Sequence, residues 1–228
     1  MQGKATIAEL SLMGGQNSAY LVCEAPMIPA SGRYVLAHEE GSDLPLATEL
    51  FAAEYRSNGF VAAPPIPRAW RPGSVLDLRG PLGSGFELPP GARRVALIAF
   101  NDDPRRLLPL ASAAIRQDAA VALVCGNAPA ELPLQVEVHP PQALQEVCGW
   151  SDYAAFDLGS ESVGALARAL SEGGHPISGG PAEALVRIPM PCGGLAECGV
   201  CTVRTATGPK LACVDGPVFD LSLLIWER

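Results

Sequence analysis

Along the first 88 residues the apolar positions come in short runs broken by turn residues. "SAYLVCEAP", "GRYVLAHEE", "NGFVAAPPI" and "SVLDLRG" are apolar or alternating over strand length, bounded by Gly, Pro, Asn and Ser. Such even spacing predicts a small barrel or sandwich, and a β-barrel is the expected form. The pattern then changes. "RRVALIAF" (93–100) is a continuous apolar run, as in a strand covered on both faces. "DDPRRLLPLASAAIRQ" follows, with Asp102 or Asp103 as N-cap and Pro104 at the first helical position. Leu107, Leu108, Ala111, Ala114 and Ile115 fall on one face of that helix. "AAVALVCGN" (119–127) predicts a second buried strand, "PPQALQEVCG" a short helix and "YAAFDLG" a third strand. "SVGALARALSEGG" predicts another helix, ending at glycines. Strands alternating with helices mean an α/β domain with a mostly parallel sheet.

Three units result: a β-barrel over 1–90, a Rossmann-like α/β domain over 91–175, and a small C-terminal cysteine domain over 176–228. Residues 176–190 read as a linker and a short entry strand. No internal repeat or low-complexity tract interrupts this order.

Composition narrows the function classes. A chain of 228 residues that is 48% hydrophobic and 18% charged, with 22 prolines and 24 glycines, is globular and rich in turns. Its net charge of −8, without a dense Lys/Arg cluster, argues against a nucleic-acid partner. The longest nearly uncharged apolar run, "RVALIAFN", is far too short to span a bilayer, so no membrane partner is expected. The start "MQGKATIAEL" lacks a basic region followed by an apolar one, so no signal peptide is expected. Seven cysteines without a secretion signal point to a reducing, cytoplasmic location. There, close cysteine spacing more often means metal binding or catalysis than disulfides.

Four of the seven lie in "MPCGGLAECGVCTVRTATGPKLACVDGPVFD", residues 190–220. Cys192, Cys198, Cys201 and Cys213 are spaced C-x5-C-x2-C-x11-C, with Gly193, Gly194 and Gly199 between the first three. Glycines let a backbone curl around a compact object with its N–H groups inward, where they meet the negative charge of sulfides and thiolates. The plant-type [2Fe–2S] spacing, C-x4-C-x2-C and a distant cysteine, is one residue shorter in its first gap. Zinc ribbons favour two C-x2-C knuckles, and only 198 and 201 form one. The spacing favours a [2Fe–2S] cluster, leaves structural zinc as the alternative, and puts disulfides third. Cys23, Cys125 and Cys148, in apolar contexts, read as small buried hydrophobes. His38, His139 and His175 are scattered and read as surface or loop residues, and no side chain is nominated as catalytic.

"MPCGGLAECGVC…LACVDGPVFD" resembles the C-terminal iron–sulfur domain of the electron-transfer subunit of class B dihydroorotate dehydrogenase. In that family a "C-x-DGPVF" tail follows the last ligand; here it is Cys213, Asp215, Gly216, Pro217, Val218 and Phe219. "PGSVLDLRGPLGSGFELP" (72–89) resembles the end of that family's flavin barrel, and "LLPLA" (107–111) its first nucleotide-domain helix. The resemblance implies a ferredoxin-reductase-type barrel, a nicotinamide-type α/β domain and a [2Fe–2S] domain. It also implies electron exchange with a dihydroorotate dehydrogenase-like flavoprotein, as an electron-transfer subunit rather than a catalyst on its own. Departures stand beside it. The family's flavin motif, Arg-x-Tyr/Phe-Ser, corresponds here to "LPLATELFAAEYR", with Glu49 and Phe51 but no arginine before Phe51 and no serine after it. Arg56 would have to reach in from a shifted position. The first nucleotide turn, "AFNDDPRR", has no glycine, and Asp102 and Asp103 suit a helix cap better than a pyrophosphate. The family's later "CGP" is replaced by Phe156, Asp157 and Leu158. These departures argue against NAD and leave FAD open. A non-redox scaffold or regulatory subunit, with structural zinc held by the same four cysteines, is the alternative to electron transfer.

Overall fold

In the computed structural model, which describes residues 1–43, 46–100, 103–171 and 179–224, the turn-punctuated first part forms seven strands. They are β1 (Gln2–Met13), β2 (Gln16–Cys23), β3 (Tyr34–Glu39), β4 (Thr48–Leu50), β5 (Ala52–Arg56), β6 (Gly59–Ala62) and β7 (Val75–Leu82). They pair antiparallel in the order β4-β3-β7-β1-β2-β6-β5. The two edge strands, β4 and β5, are separated only by Phe51, so one extended stretch of chain closes the sheet on itself. Alternation fills the interior: Leu76 and Leu78 of β7 point inward while Asp77 points out, and Ile7, Leu21, Phe60 and Trp70 complete the core. β1 is the strand the apolar pattern does not announce, since only Ala5 and Ile7 of its twelve residues are fully buried.

The second part contains β8 (Arg94–Ala99), α1 (Leu108–Arg116), β9 (Ala120–Val124), β10 (Val136–His139), α2 (Leu144–Trp150), β11 (Tyr153–Gly159) and α3 (Val163–Ser171). β12 (Ala182–Arg187) follows, and the cysteine segment contributes β13 (Thr202–Thr205), β14 (Gly208–Leu211) and β15 (Val218–Asp220). The sheet order is β10-β9-β8-β11-β12-β15, parallel except for β15. The sheet therefore reaches past residue 175. β12 pairs with β11 along its whole length, and the cysteine segment supplies the antiparallel edge.

Helices cover both faces of this doubly wound sheet. Val95, Leu97 and Ala99 meet Leu107, Leu110, Ala111 and Ala114 on one side. Ala96, Ile98 and Phe156 meet α2 and α3 on the other, through Leu144, Val147, Cys148, Leu166 and Leu170. Full burial of each leucine contributes roughly 1.5–3 kcal/mol. The first helix differs from expectation at its start. Pro104–Leu107 form a 3-10 turn, and the α-helix begins at Leu108, itself half-buried. Asp103 is the cap, accepting from the Arg105 N–H at 2.9 Å, while Asp102 lies outside the described residues. Among the described residues no helix is long and apolar enough to cross a membrane.

Candidate metal centre

The cysteine segment leaves β12 and curls through residues 192–201. Gly193, Gly194 and Gly199 all take positive φ there, and so does Ala196, at 62°. A left-handed alanine costs about 1–2 kcal/mol, the kind of strain held at functional sites. The β13–β14 hairpin then folds the chain back, and the Ala212 N–H donates to the Cys201 carbonyl at 2.9 Å. Asp215 fixes the turn beyond, with its Oδ2 accepting from the Leu211 N–H at 2.8 Å. This hairpin is what brings Cys213 beside Cys201, across eleven intervening residues.

The four sulfurs approach two by two. Cys192 Sγ receives the Glu197 N–H, the Cys198 thiol, and the N–H groups of Cys198 and Leu195. Those donors bring the Cys192 thiol down to about 6. Cys213 interacts with the Cys201 side chain, receives the Ala196 N–H and feels the charge of Cys192. Burial, with the neighbouring Cys201, pushes it up to about 11. Cys201 and Cys213 are buried, Cys192 is half-buried and Cys198 exposed. Among the described residues no three His, Cys, Asp or Glu side chains converge on a single metal-ion position. A [2Fe–2S] cluster takes four thiolates, two on each iron, with N–H groups directed at sulfur. Two thiol pairs with N–H groups directed at Cys192 and Cys213 fit that donor set, and Gly193 and Gly194 place left-handed turns within the longer first gap.

The barrel grips this segment. Arg79 Nη1 donates to the Gly193 carbonyl at 2.9 Å, and Glu49 Oε1 accepts from the Met190 N–H at 2.9 Å. The Ser84 N–H donates to the Gly216 carbonyl at 2.6 Å. Gly83, at φ 72°, must be glycine for this approach, because a Cβ would stand 2.5 Å from the Gly216 oxygen. The "GPLG" stretch therefore docks the "DGP" stretch.

The places where a flavin and a nucleotide would be sought are built differently. A cavity of about 430 Å³ lies between Phe51, Pro64, Arg106, Arg187 and Met190, with Glu49 on its wall. Burial raises the Glu49 carboxyl, whose partner is the Met190 N–H. Arg56 does not reach this cavity; it pairs with Glu54 at 3.1 Å and lies over the Tyr20 ring. Arg106, nearly buried, donates to Asp157 at 2.8 Å and to the Pro64 carbonyl of the barrel at 2.8 Å. Arg187 donates to the other Asp157 oxygen at 2.7 Å. Burial pushes Asp157 up to about 6 against the pull of Arg106, and brings Arg187 down to about 10. The cavity offers a planar ring an aromatic wall, but both of its cations face Asp157 rather than a phosphate. Ligands of doubly wound sheets bind at the strand ends where the order reverses, here between β8 and β11. Arg106 and Asp157 bridge that crevice, and these residues do not fit a dinucleotide.

The remaining residues singled out from sequence are plainly placed. Cys125 and Cys148 are buried and Cys23 half-buried. His38 and His139 are strand residues rather than loop residues, and His175 lies outside the described residues. Sequence reasoning passed over Tyr34, Arg79, Arg106 and Ala196. Arg79 was visible inside "DLRGPLG", whereas Ala196 carries no local signal.

Residues 190–225 match the family model of the iron–sulfur cluster binding domain of dihydroorotate dehydrogenase B. No curated protein sequence matches the chain. Among solved structures it is similar to an NADH-dependent reduced ferredoxin-NADP oxidoreductase described for flavin-based electron bifurcation. That likeness has a TM-score of 0.72 at 17% identity and covers 97% of this chain and 90% of the other. It is also similar to the ferredoxin reductase of carbazole 1,9a-dioxygenase, with a TM-score of 0.60, 20% identity and 77% coverage, and spans 64% of that protein, under two thirds. A cytochrome P450 reductase from Amycolatopsis follows, with a TM-score of 0.57, 16% identity, and coverage of 75% and 66%. These likenesses establish a ferredoxin-reductase fold.

Proposed function

We propose, from a C-terminal segment of the dihydroorotate dehydrogenase B iron–sulfur type on a ferredoxin-reductase fold, that this chain is an electron-transfer subunit. Cys192, Cys198, Cys201 and Cys213 hold a [2Fe–2S] cluster that exchanges electrons with a flavoprotein dehydrogenase of the dihydroorotate type. The observation that carries this reading is that the Cys192 thiol interacts with Cys198 and the Cys213 thiol with Cys201, with backbone N–H groups directed at Cys192 and Cys213. When bound, the cluster supplies one-electron transfer and needs no acid, base or nucleophile from the chain. The protein's own contribution is placement. The hairpin buries Cys201 and Cys213, the glycine loop leaves Cys198 at the surface toward a partner, and the barrel contacts hold the loop rigid.

Four single Cys→Ser variants test the ligand set. Each is expected to lose most of its iron and sulfide on anaerobic purification, whereas Cys148→Ser, in the α/β core, is expected to keep them. Full retention of iron in any of the four removes that residue from the set. The partner is tested by mixing the iron-loaded chain anaerobically with an FMN-dependent dihydroorotate dehydrogenase reduced by dihydroorotate. Bleaching of the visible absorption is expected, and an unchanged spectrum refutes that partner class.

A further inference from the structure

β3 of the barrel places Tyr34, with no exposed surface, between two neighbourhoods. On one side its ring meets Phe51, with centroids 5.8 Å apart and planes at 42°. On the other its hydroxyl reaches the Cys213 carbonyl at 3.5 Å. The Cys213 sulfur, the Glu49 carboxyl and the Cys201 sulfur lie close enough to act on it electrostatically. A Cβ on Gly194 would stand 3.3 Å from the hydroxyl oxygen, so the glycine loop closes directly over this group. Arg79, on the adjacent strand β7, acts on the same hydroxyl and donates to the Gly193 carbonyl at 2.9 Å. Neither residue belongs to the four thiols, yet both sit against the loop that carries them.

A buried hydroxyl dipole and a half-buried cation act through a weakly screening interior. One electron accepted by a cluster held on the four thiolates would add one negative charge there. The guanidinium and the hydroxyl proton both favour the more negative state, as hydrogen bonds and charge near cluster sulfurs do. We infer that Tyr34 and Arg79 are positioning residues of the barrel that raise the reduction potential of the metal centre. This inference rests on the iron–sulfur reading above. The barrel thereby keeps a redox role through its contacts with the cluster loop.

The test is a spectroelectrochemical titration of the anaerobically purified full chain with dithionite and mediators. Tyr34→Phe keeps the ring against Phe51 and removes only the hydroxyl. Arg79→Gln keeps a donor toward Gly193 and removes only the charge, so it provides a second, partly exposed variant should the core substitution fold poorly. Iron and sulfide per chain are expected to match the parent. Each variant is expected to be harder to reduce, its reduction equilibrium falling roughly three- to tenfold, as for one lost hydrogen bond. At 59 mV per decade for one electron, that is about 30–60 mV. Loaded variants whose potentials equal or exceed the parent's overturn the inference while leaving the iron–sulfur reading standing. Parent protein holding zinc, or no metal after reconstitution, overturns the iron–sulfur reading and this inference with it.

Discussion

Replacing Arg106 with methionine probes the link between the barrel and the α/β domain. The arginine is only 5% exposed and makes two bonds of 2.8 Å, to the fully buried Asp157 and to the Pro64 carbonyl. Methionine fills a similar volume without a donor, leaving Asp157 to Arg187. Removing one partner of a buried ion pair costs about 3–5 kcal/mol when the remaining charge is left uncompensated; with Arg187 still on the other Asp157 oxygen, the lower end of that range, about 3 kcal/mol, applies here. That is a large share of the roughly 5–15 kcal/mol that holds a domain together. With a urea slope of about 3 kcal/mol/M, at the upper end for small proteins, the midpoint should fall by roughly 1 M at pH 7.5. The pH dependence has a definite sign. Asp157 in the folded protein titrates at about 6, above its ordinary 3.8, because burial disfavours the charge. Stability from this group is therefore fully present below about pH 4 and lost as pH rises through about 6. Without Arg106 the folded value rises further, so the deficit should be largest above neutrality and shrink toward pH 5. Urea unfolding followed by far-ultraviolet circular dichroism at pH 7.5 and pH 5 measures both. An unchanged midpoint at pH 7.5, or a deficit that grows on acidification, would contradict this role of the ion pair.

Three further outcomes are expected. In metal-free, reduced protein, Cys192 should be alkylated by iodoacetamide well ahead of Cys213, with a half-maximal rate near pH 6, since its thiol lies at about 6 and that of Cys213 at about 11; peptide mass spectrometry reading Cys213 first would contradict the loop geometry. Gly83→Ala should cost about 1–3 kcal/mol and reduce iron retention, because the new Cβ meets the Gly216 oxygen and the backbone is left-handed; unchanged thermal unfolding and iron content would show that the docking is dispensable. Ala196→Gly should raise stability by up to about 1 kcal/mol while keeping the Cys213 contact, since glycine adopts the left-handed conformation without strain; a lowered melting temperature would count against strain at that position.

The sequence exposes what is local and periodic. The barrel strands announce themselves because Gly, Pro and Asn mark their ends, and β8, β9 and β11 because both of their faces are buried. β1 escapes notice because most of its residues meet solvent, so its alternation has little apolar contrast. The four cysteines are legible as a candidate ligand set because they share one short segment. Their pairing is not, since it depends on the β13–β14 hairpin folding Cys213 back onto Cys201. The contact between Arg106 and Asp157 joins residues 51 apart and exists only because β11 lies beside β8 in the sheet. Tyr34 meets Cys213 across 179 residues, through the docking of a barrel on a loop that no periodicity describes. Glu49 shows the gap most clearly. Sequence places it where the family's flavin motif would lie, and only the structure gives the carboxylate its partner, the Met190 N–H at the entrance to the cysteine loop.

Everything proposed for this chain depends on four cysteines holding an iron–sulfur cluster, and metal analysis of the anaerobically purified protein decides that point. Iron, acid-labile sulfide and zinc would be assayed on one sample alongside its visible spectrum. A coloured protein with two irons and two sulfides per chain is expected, as [2Fe–2S] ligation by four cysteines requires. A colourless protein carrying one zinc per chain would contradict it and make the cysteine loop a structural knot.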